Sequence, residues 1–178
     1  MTGASRGIGL AIAETFAAAG CDLALCARNT KFLANTELAD RHAVRVLVSE
    51  CDVRSESSVS DFFARIGESF GRVDILVNNA GLAGPMAPVA ELSLDDWRDA
   101  IDTNLTGTFL CTRAALPLMS GGAVIVNNLS VAARDVFAGE SAYVAAKHGA
   151  KGFTDTLREE LRERGIRVIG LYPGATDS

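Results

Sequence analysis

The stretch Thr2-Gly-Ala-Ser-Arg-Gly-Ile-Gly9 holds three glycines and leads directly into an apolar helical pattern. That pattern consists of Ile8, Ile12, Phe16 and Ala19, and Gly20 closes it. A glycine-rich turn that opens a helix lets the backbone approach a pyrophosphate, whose charge is favoured at a helix N-terminus. The stretch therefore predicts a dinucleotide-binding turn, although its spacing is TGxxxGxG and not the commoner GxGxxG.

Strand and helix patterns alternate along the rest of the chain. Short apolar runs predict strands at 22–27, 44–49, 73–77, 123–127 and 166–171. Helical patterns fall between them, at 30–40, 55–70, 94–119 and 141–164. Such alternation is typical of parallel strands joined by crossover helices. We predict an α/β fold in one domain over residues 1–178, a doubly wound, Rossmann-like parallel sheet in a three-layer αβα arrangement.

Local signals define some of these elements more closely. Asn29 or Thr30 is predicted to cap the helix that reaches residue 40, and Ser55 the next one. Ser93 with Asp96 is typical of a capping box at the start of a long helix. The run 73–77 is continuously apolar, which indicates a strand buried on both faces.

Composition and charge exclude several classes of protein. The chain has 178 residues, 48% of them hydrophobic, which suits one globular domain with a sizeable core. Acidic residues outnumber basic ones by 22 to 17, which argues against nucleic acid or an anionic membrane as a partner. No apolar run approaches the roughly 20 residues of a membrane span, and no signal peptide is recognisable. We expect a cytoplasmic protein.

The cysteines and histidines do not form a recognisable site. The four cysteines show no CxxC spacing and no nearby histidine pair, which favours buried, reduced thiols over a disulfide framework or a metal site. His42 and His148 stand alone, and neither is assigned a catalytic role.

Tyr143 and Lys147 form the clearest chemical pair in the sequence. Positions four apart lie on one face of a helix, so the phenol and the ammonium point the same way. A free tyrosine titrates near pH ~10, and a cation beside it lowers that pKa. Ser130, from another element, could hold a carbonyl oxygen against the same phenol. The pair alone is weak evidence, because YxxxK also arises by chance in helices.

Taken together, these motifs resemble the classical short-chain dehydrogenase/reductase family. Six of them occur in the family's order: TGxxxGxG at 2–9, Asn78-Asn79-Ala80-Gly81, Asn104, Ser130, the Tyr143/Lys147 pair and Pro173-Gly174. The resemblance implies hydride transfer between a nicotinamide and a carbonyl or secondary alcohol, with Tyr143 giving or taking the proton. It further implies that Lys147 keeps the pKa of the phenol low and binds the nicotinamide ribose, that Ser130 polarises the substrate oxygen, and that Asn104 anchors a proton-relaying water chain.

Each member of this tetrad also has a structural interpretation. Ser130 could bond its own backbone at a strand end, and Asn104 could be an ordinary mid-helix amide. Tyr143 could be a packing aromatic whose hydroxyl reaches water, and Lys147 could be a solvated helix charge. The joint spacing favours the catalytic interpretation over these four separate ones.

The second predicted strand ends with an arginine where many dinucleotide-binding sheets place a carboxylate. An acid there hydrogen-bonds the adenosine ribose and repels a 2′-phosphate. Here Ala27-Arg28 supplies a guanidinium, and Arg6 in the glycine turn adds a second one. Two arginines and no acid favour a phosphate, so we predict NADP(H) as preferred, with NAD(H) possible. The alternative is that both are solvated turn residues.

The resemblance implies a larger set of cofactor contacts. It assigns the dinucleotide to Gly3, Ser5, Arg6, Gly7, Ile8, Gly9, Arg28, Asp52, Val53, Asn78, Asn79, Ala80, Gly81, Tyr143, Lys147, Pro173, Gly174 and Thr176. Asp52 is placed against the adenine ring, and Pro173-Gly174 against the carboxamide, with Ser178 joining Thr176 there. Without the resemblance, Asp52 would be a helix cap and 78–81 an ordinary turn. No metal site is predicted.

Both ends of the chain differ from the family pattern. In the family a strand precedes the glycine turn, and substrate-binding helices follow Pro173-Gly174. We therefore expect either a fragment of a longer parent or an isoform that folds poorly by itself. Non-cooperative thermal or denaturant unfolding is the expected result. The rival functions are a dinucleotide-binding protein without turnover and an inactive truncated product.

The sequence also suggests partners. A small carbonyl or alcohol is the expected substrate, with residues 82–91 and 134–140 at the mouth of the pocket. The family implies a homodimer or homotetramer through the helices at 94–119 and 141–164.

Overall fold

The computed structural model describes residues 1–34 and 38–176. Helices and strands alternate, as the sequence predicts. The strands are β1 (Leu23–Ala27), β2 (Val46–Glu50), β3 (Ile75–Asn78), β4 (Val124–Asn128) and β5 (Arg167–Leu171). The α-helices are α1 (Gly7–Ala18), α2 (Lys31–Ala34), α3 (Leu38–His42), α4 (Glu56–Phe70), α5 (Leu94–Ile101), α6 (Gly107–Ala115) and α7 (Ser141–Glu160).

All strand pairs are parallel, and they form two pieces of sheet. β1 pairs with β2, and β4 lies between β3 and β5. Residues 1–2 link the pieces: the Met1 carbonyl accepts from Cys26 N at 3.1 Å, and Thr2 N donates to Val77 O at 3.0 Å. The carboxyl ends of β1 and β3 therefore lie on either side of the segment that enters the glycine turn.

Helices cover both faces of the sheet. Leu25 of β1 packs in one apolar cluster with Ala13 and Ala17 of α1, whereas its neighbour Cys26 packs in a second cluster with Phe62 of α4. Successive side chains of a strand point to opposite faces, so the two clusters lie on opposite sides. This arrangement is the predicted three-layer, Rossmann-like fold.

The strand at 73–77 is shorter and less buried than predicted. Leu76 and Val77 are buried, but Ile75 is 39% exposed. Ile75 borders a cavity of about 550 Å³ between the first halves of β1 and β3, which Leu23 and Phe70 also line. The apolar run indicates burial on both faces, but here one side of the strand faces this cavity.

The long predicted helix at 94–119 is divided into four parts. After α5, a π-helical turn spans Asp102–Thr106, α6 follows, and a 3₁₀ turn at Leu116–Leu118 ends the run. Pro117 has no backbone N–H and its ring crowds the preceding turn, which accounts for the end. The helix from residue 141 is also shorter than predicted, since α7 ends at Glu160.

The caps predicted at Ser55 and Ser93 are confirmed. Ser55 Oγ accepts from Ser58 N, and Ser93 Oγ accepts from Asp96 N while donating to the Asp96 carboxylate at 2.6 Å. The helix predicted to reach residue 40 contains α2 and α3, with 35–37 outside the described residues. Among the helices in the described ranges, none is long and apolar enough to cross a membrane.

Candidate active site

The glycine turn packs so tightly that two of its positions have no room for a side chain. A Cβ on Gly9 would lie 2.1 Å from the Gly3 carbonyl oxygen, and one on Gly3 would lie 2.7 Å from Ala80 Cα. Gly3 also has φ +62°, a conformation that side chains disfavour. The turn, the start of α1 and the segment after β3 are therefore in direct backbone contact, which leaves the N-terminus of α1 open to a ligand.

Thr2 and Asn79 hold this contact in place. Thr2 Oγ1 accepts from the backbone amides of Asn79 and Ala80, at 3.1 and 3.0 Å. In return, the Asn79 amide donates to the Gly3 carbonyl at 3.0 Å. The side-chain oxygen of Asn79 accepts from Asn128 Nδ2 at 2.9 Å, which connects the end of β4 to the same loops. Three loops at the carboxyl edge of the sheet are thus joined by side-chain hydrogen bonds.

A cavity of about 520 Å³ opens over these loops. It brings together the glycine turn, the ends of the strands and α7. The predicted residues that line it are Gly3, Ser5, Arg6, Gly7, Ile8, Gly9, Arg28, Asp52, Val53, Asn79, Ala80, Gly81, Ser130, Tyr143, Lys147, Pro173, Gly174 and Thr176. Ser178 lies outside the described residues. Asn78 and Asn104 are the two predicted residues that do not line the cavity.

Asn78 belongs to the interior of the sheet. Its Nδ2 donates to Thr112 Oγ1 of α6 at 3.0 Å and to Asn127 Oδ1 of β4 at 2.9 Å. Asn127 in turn donates to Thr154 of α7. The last residue of β3 thus points into a buried polar network, and it is Asn79 that turns toward the ligand cavity.

Lys147 is buried to 4% exposure, with its ammonium close to Tyr143. Its Nζ lies 5.5 Å from the centroid of the Tyr143 ring and donates to the Asn128 carbonyl oxygen at 2.8 Å. Burial lowers the pKa of Lys147 to about 8, because the charged form loses hydration. The lysine therefore remains mainly protonated at pH 7, and a cation stands beside the phenol.

Ser130 adopts a strained backbone conformation, with φ +65° and ψ 159°. A non-glycine residue in this region costs free energy, and such residues concentrate at functional sites. Its Oγ accepts from Ala132 N at 3.3 Å, and the next residue, Val131, donates to Pro173 O at 3.0 Å. The segment after β4 is thereby fixed against the segment after β5, with the Ser130 side chain at the cavity.

Asn104 lies in the π-helical turn and is almost fully buried. Its Nδ2 donates to Leu82 O at 2.7 Å and to Ala100 O at 2.8 Å, while Oδ1 accepts from Leu82 N at 3.2 Å. The side chain therefore fixes the backbone just after Gly81. Such π turns often occur at functional sites, and here the turn is what aims the amide at Leu82.

The charged side chains of the cavity are mostly basic. Arg6 and Arg28 are exposed, and neither forms a salt bridge with any residue that the structure describes. Asp52 is hydrogen-bonded by Arg54, which holds the pKa of the carboxyl below its ordinary value. The guanidiniums of Arg6, just before α1, and Arg28, just after β1, therefore remain available to an anionic ligand in the cavity.

The two segments predicted at the mouth meet each other. Ala87 N donates to Gly139 O at 2.9 Å. Apolar side chains nearby are open to solvent: Met86 is 74% exposed, Val136 81% and Phe137 42%. The two segments therefore present apolar side chains to solvent.

Sequence reasoning missed several residues that build or line the cavity. Thr2 and Asn128 organise the loops, and Thr103 lines the wall from the π-helical turn. A polar residue at the end of an apolar strand is a signal that could have identified Asn128. Thr2 opens the TGxxxGxG motif, but its contacts with Asn79 and Ala80 join residues far apart in sequence. Thr103 carries no comparable signal.

Comparisons with known proteins agree with this geometry. A family model described as short chain dehydrogenase matches residues 1–178. The chain is 39% identical over 181 residues to a 3beta-hydroxysteroid dehydrogenase from Mediterraneibacter gnavus, covering all of this chain and 65% of the relative. It thus spans just under two-thirds of the length of that relative.

Solved structures superpose closely on the chain. An alcohol dehydrogenase from the archaeon Thermococcus sibiricus, complexed with 5-hydroxy-NADP, gives a TM-score of 0.95 at 34% identity, over 100% of this chain and 76% of its own. An actinorhodin polyketide ketoreductase with NADPH gives 0.92 at 37% identity, over 99% and 69%.

Proposed function

The chain belongs to the short-chain dehydrogenase family, and on that premise we propose that it carries the site of an oxidoreductase acting between NADP(H) and a carbonyl or secondary alcohol. One observation carries the proposal. Tyr143, Lys147 and Ser130 line the same cavity as the glycine turn, so a dinucleotide on the turn and a substrate at the phenol share one space.

The cavity suits the dinucleotide. The close approach of Gly3, Gly9 and Ala80 exposes backbone at the N-terminus of α1, where a pyrophosphate is favoured. When bound, the nicotinamide would supply or accept the hydride. In this proposal, residues of the cavity bind and orient the dinucleotide and transfer the proton.

Tyr143 is the proposed proton donor in reduction and the acceptor in oxidation. The ammonium of Lys147 lies 5.5 Å from the centroid of the Tyr143 ring, so the phenol would exchange its proton with the substrate oxygen beside a cation. Ser130 Oγ would donate to the same oxygen and hold the carbonyl in place. Lys147 would also bind the ribose hydroxyls while it keeps its contact with the Asn128 carbonyl.

Asn104 has a positioning role in this proposal. Its amide fixes Leu82 beside the cavity, and Lys147 bonds to the end of β4 nearby. A water chain that returns protons to solvent would start at the backbone carbonyls of Leu82 and Asn128.

The preference for NADP(H) rests on Arg6 and Arg28. Both line the cavity, both are exposed, and the strand end beside them carries no carboxylate. A guanidinium can bind a 2′-phosphate through two parallel hydrogen bonds. The NADP and NADPH complexes of two similar structures support the same choice.

We also propose that the chain assembles into a homodimer or homotetramer through α5–α6 and α7. Leu94 and Trp97 of α5 are 60% and 36% exposed, and Phe109 of α6 is 40% exposed. Both helices therefore present apolar surface. Sedimentation velocity tests this proposal: a monomer at micromolar concentration would contradict it.

The experiment for the main proposal is oxidation of NADPH by the purified chain. A panel of ketones, aldehydes and acyl thioesters should give a substrate-dependent loss of absorbance at the nicotinamide band. Binding of NADPH without turnover of any compound would instead support the rival function, a dinucleotide-binding protein. Absence of dinucleotide binding would contradict both.

A further inference from the structure

Ser130 has a backbone conformation that few residues other than glycine adopt. Its φ of +65° and ψ of 159° lie in a region that a side chain makes unfavourable. Such a conformation persists only where the surrounding structure holds it. Contacts of the neighbouring residues must therefore offset the strain at Ser130.

A short turn links Ser130 to Arg134. The 3₁₀ turn at Val131–Ala133 follows Ser130 directly, and Ala133 N donates to Ser130 O at 3.1 Å. Arg134 N donates to Val131 O at 2.8 Å. Because these hydrogen bonds close the turn, an anchor at Arg134 also restrains Ser130.

Arg134 is anchored on an aromatic ring. Its guanidinium carbon lies 3.6 Å from the centroid of the Tyr172 ring, so the two groups are stacked. A planar guanidinium suits such a stack better than an ammonium does. Arg134 is otherwise exposed, and the ring gives its side chain a fixed contact on an open surface.

The Tyr172 ring also packs close to Ser130. It lies against an apolar cluster that contains the buried residues Leu129 and Ala133, which stand on either side of Ser130 in sequence. Gly170 leaves room for this packing, since a Cβ there would lie 2.7 Å from Leu129 Cδ1 and 3.3 Å from the Tyr172 ring. The ring thus joins the cluster to the guanidinium of the turn.

Two backbone hydrogen bonds complete the restraint. Leu129 N donates to Leu171 O at 2.8 Å, and Val131 N donates to Pro173 O at 3.0 Å. The two donors flank Ser130 in sequence, and the residue that carries the aromatic ring lies between the two acceptors. The segment after β4 is therefore held on the segment after β5 by its backbone and by the stack.

We propose that Arg134 and Tyr172 are positioning residues, which hold Ser130 in its strained conformation with the hydroxyl toward the substrate oxygen. This inference rests on the proposed oxidoreductase function. When the stack is lost, φ of Ser130 can relax to a negative value, which moves the hydroxyl relative to the phenol of Tyr143. A misplacement of about 1 Å can reduce a rate about a hundredfold. The stack should therefore affect turnover far more than dinucleotide binding at the glycine turn.

The first test removes the stack with Arg134→Met, which keeps an unbranched side chain without the guanidinium. NADPH oxidation is measured on the full chain with the ketone that wild type reduces fastest. We expect kcat to fall about 10- to 100-fold, with the dissociation constant for NADPH within about threefold of wild type. Tyr172→Leu, which removes the ring, should have the same effect.

Amide hydrogen exchange measures the restraint without any substrate. The Val131 amide is bonded to Pro173 O in wild type, so it should exchange slowly. In Arg134→Met the segment opens more often, and exchange at Val131 should be at least about tenfold faster.

Two further variants separate positioning from a general loss of stability. Arg134→Lys keeps a cation over the ring without the planar stack, so its kcat should lie between those of wild type and Arg134→Met. Arg45→Met is the matched control. Arg45 precedes β2 at the opposite edge of the sheet, stacks on Phe70 at 4.7 Å and pairs with Asp22. This variant should lower the urea midpoint at least as much as Arg134→Met, yet keep the kcat and the Val131 exchange rate of wild type.

Each outcome supports or overturns the inference. If either kcat or the exchange rate at Val131 is unchanged in folded Arg134→Met, the positioning role is overturned while the proposed function stands. Should Arg134→Met not fold, Arg134→Lys decides: a wild-type kcat overturns the role, and a reduced kcat with faster exchange supports it. If wild type turns over no carbonyl compound, the proposed function is wrong and this inference with it.

Discussion

The ammonium of Lys147 lies 5.5 Å from the centre of the Tyr143 ring, one helical turn along α7. The same nitrogen donates to the carbonyl oxygen of Asn128 at the end of β4. This second contact ties the pair to the sheet edge where the glycine turn also ends. The YxxxK spacing is common on exposed helices, but here both of its side chains line a cavity.

Replacement of Tyr143 by Phe should separate binding from turnover. The ring and its packing remain, but the hydroxyl that we propose exchanges a proton with the substrate is gone. We expect turnover to fall by at least about a thousandfold, with the dissociation constant for NADPH within about threefold of wild type. Stopped-flow NADPH oxidation and fluorescence titration measure the two quantities. Substantial residual activity would refute the proton-transfer role.

The pH dependence of stability should report the burial of Lys147. Its pKa in the folded chain is about 8, below the ordinary 10.5, so the unfolded state binds more protons between these values. The contribution of Lys147 to the free energy of unfolding is therefore lowest below pH 8 and rises from about pH 8 to 10.5. Relative to Lys147→Met, wild type should gain up to roughly 3 kcal/mol over that window.

The difference between the urea midpoints of the two proteins at several pH values provides the measurement, because a broad transition also has a midpoint. Lys151→Met is the control, because the hydrogen bond to Asp155 raises the pKa of this half-buried lysine. If the difference in stability between wild type and Lys147→Met stays constant from pH 7 to 10, the pKa of Lys147 is not lowered in the folded chain.

Gly9→Ala should damage both the fold and the dinucleotide site. The new Cβ would lie 2.1 Å from the Gly3 carbonyl oxygen and 2.6 Å from Asn79 Nδ2, so the turn must shift. We expect a loss of at least about 2 kcal/mol in the free energy of unfolding and loss of NADPH binding. Gly152→Ala is the matched control, since nothing lies within 4 Å of its Cβ position in α7. It should stabilise the chain by about 0.5–1 kcal/mol and leave binding intact.

Arg28→Asp should reverse the preference between the two dinucleotides. A carboxylate at the end of β1 repels a 2′-phosphate and can accept from the ribose hydroxyls. We expect the ratio of the NADPH and NADH dissociation constants to change by at least about tenfold in favour of NADH. Arg162→Asp, an exposed charge that pairs with Glu159, should leave the ratio unchanged. Equal affinities in wild type would already reject the assignment.

Asn104→Ala tests the role of the π-helical turn. The change removes two hydrogen bonds to Leu82 and one to Ala100, and leaves buried backbone groups unsatisfied. The free energy of unfolding should fall by about 2–4 kcal/mol. Thr106→Ala, in the same turn, loses a single contact with Asp102 and should cost less than about 1 kcal/mol. A cost at Asn104 no larger than this would contradict the positioning role.

Features that depend on neighbours in sequence were predictable. The glycine turn, the alternation of strands and helices and the caps at Ser55 and Ser93 each follow from local spacing and backbone chemistry. The Tyr143/Lys147 pair follows from helical periodicity in the same way. The division of the predicted helix at 94–119 was not predicted, because a π turn gains its stability from a side chain that reaches Leu82, twenty-two residues away.

The sequence by itself determined the family, the parallel α/β architecture and the residue types available for the chemistry. Only the tertiary structure decided that Asn79 faces the cavity while Asn78 is buried in the sheet, that Thr2 joins two loops, and that Arg54 holds Asp52. The physical reason is the separation along the chain over which each kind of interaction acts. Periodicity and capping act over a few residues, whereas these hydrogen bonds join segments whose separation along the chain gives no sign of their contact.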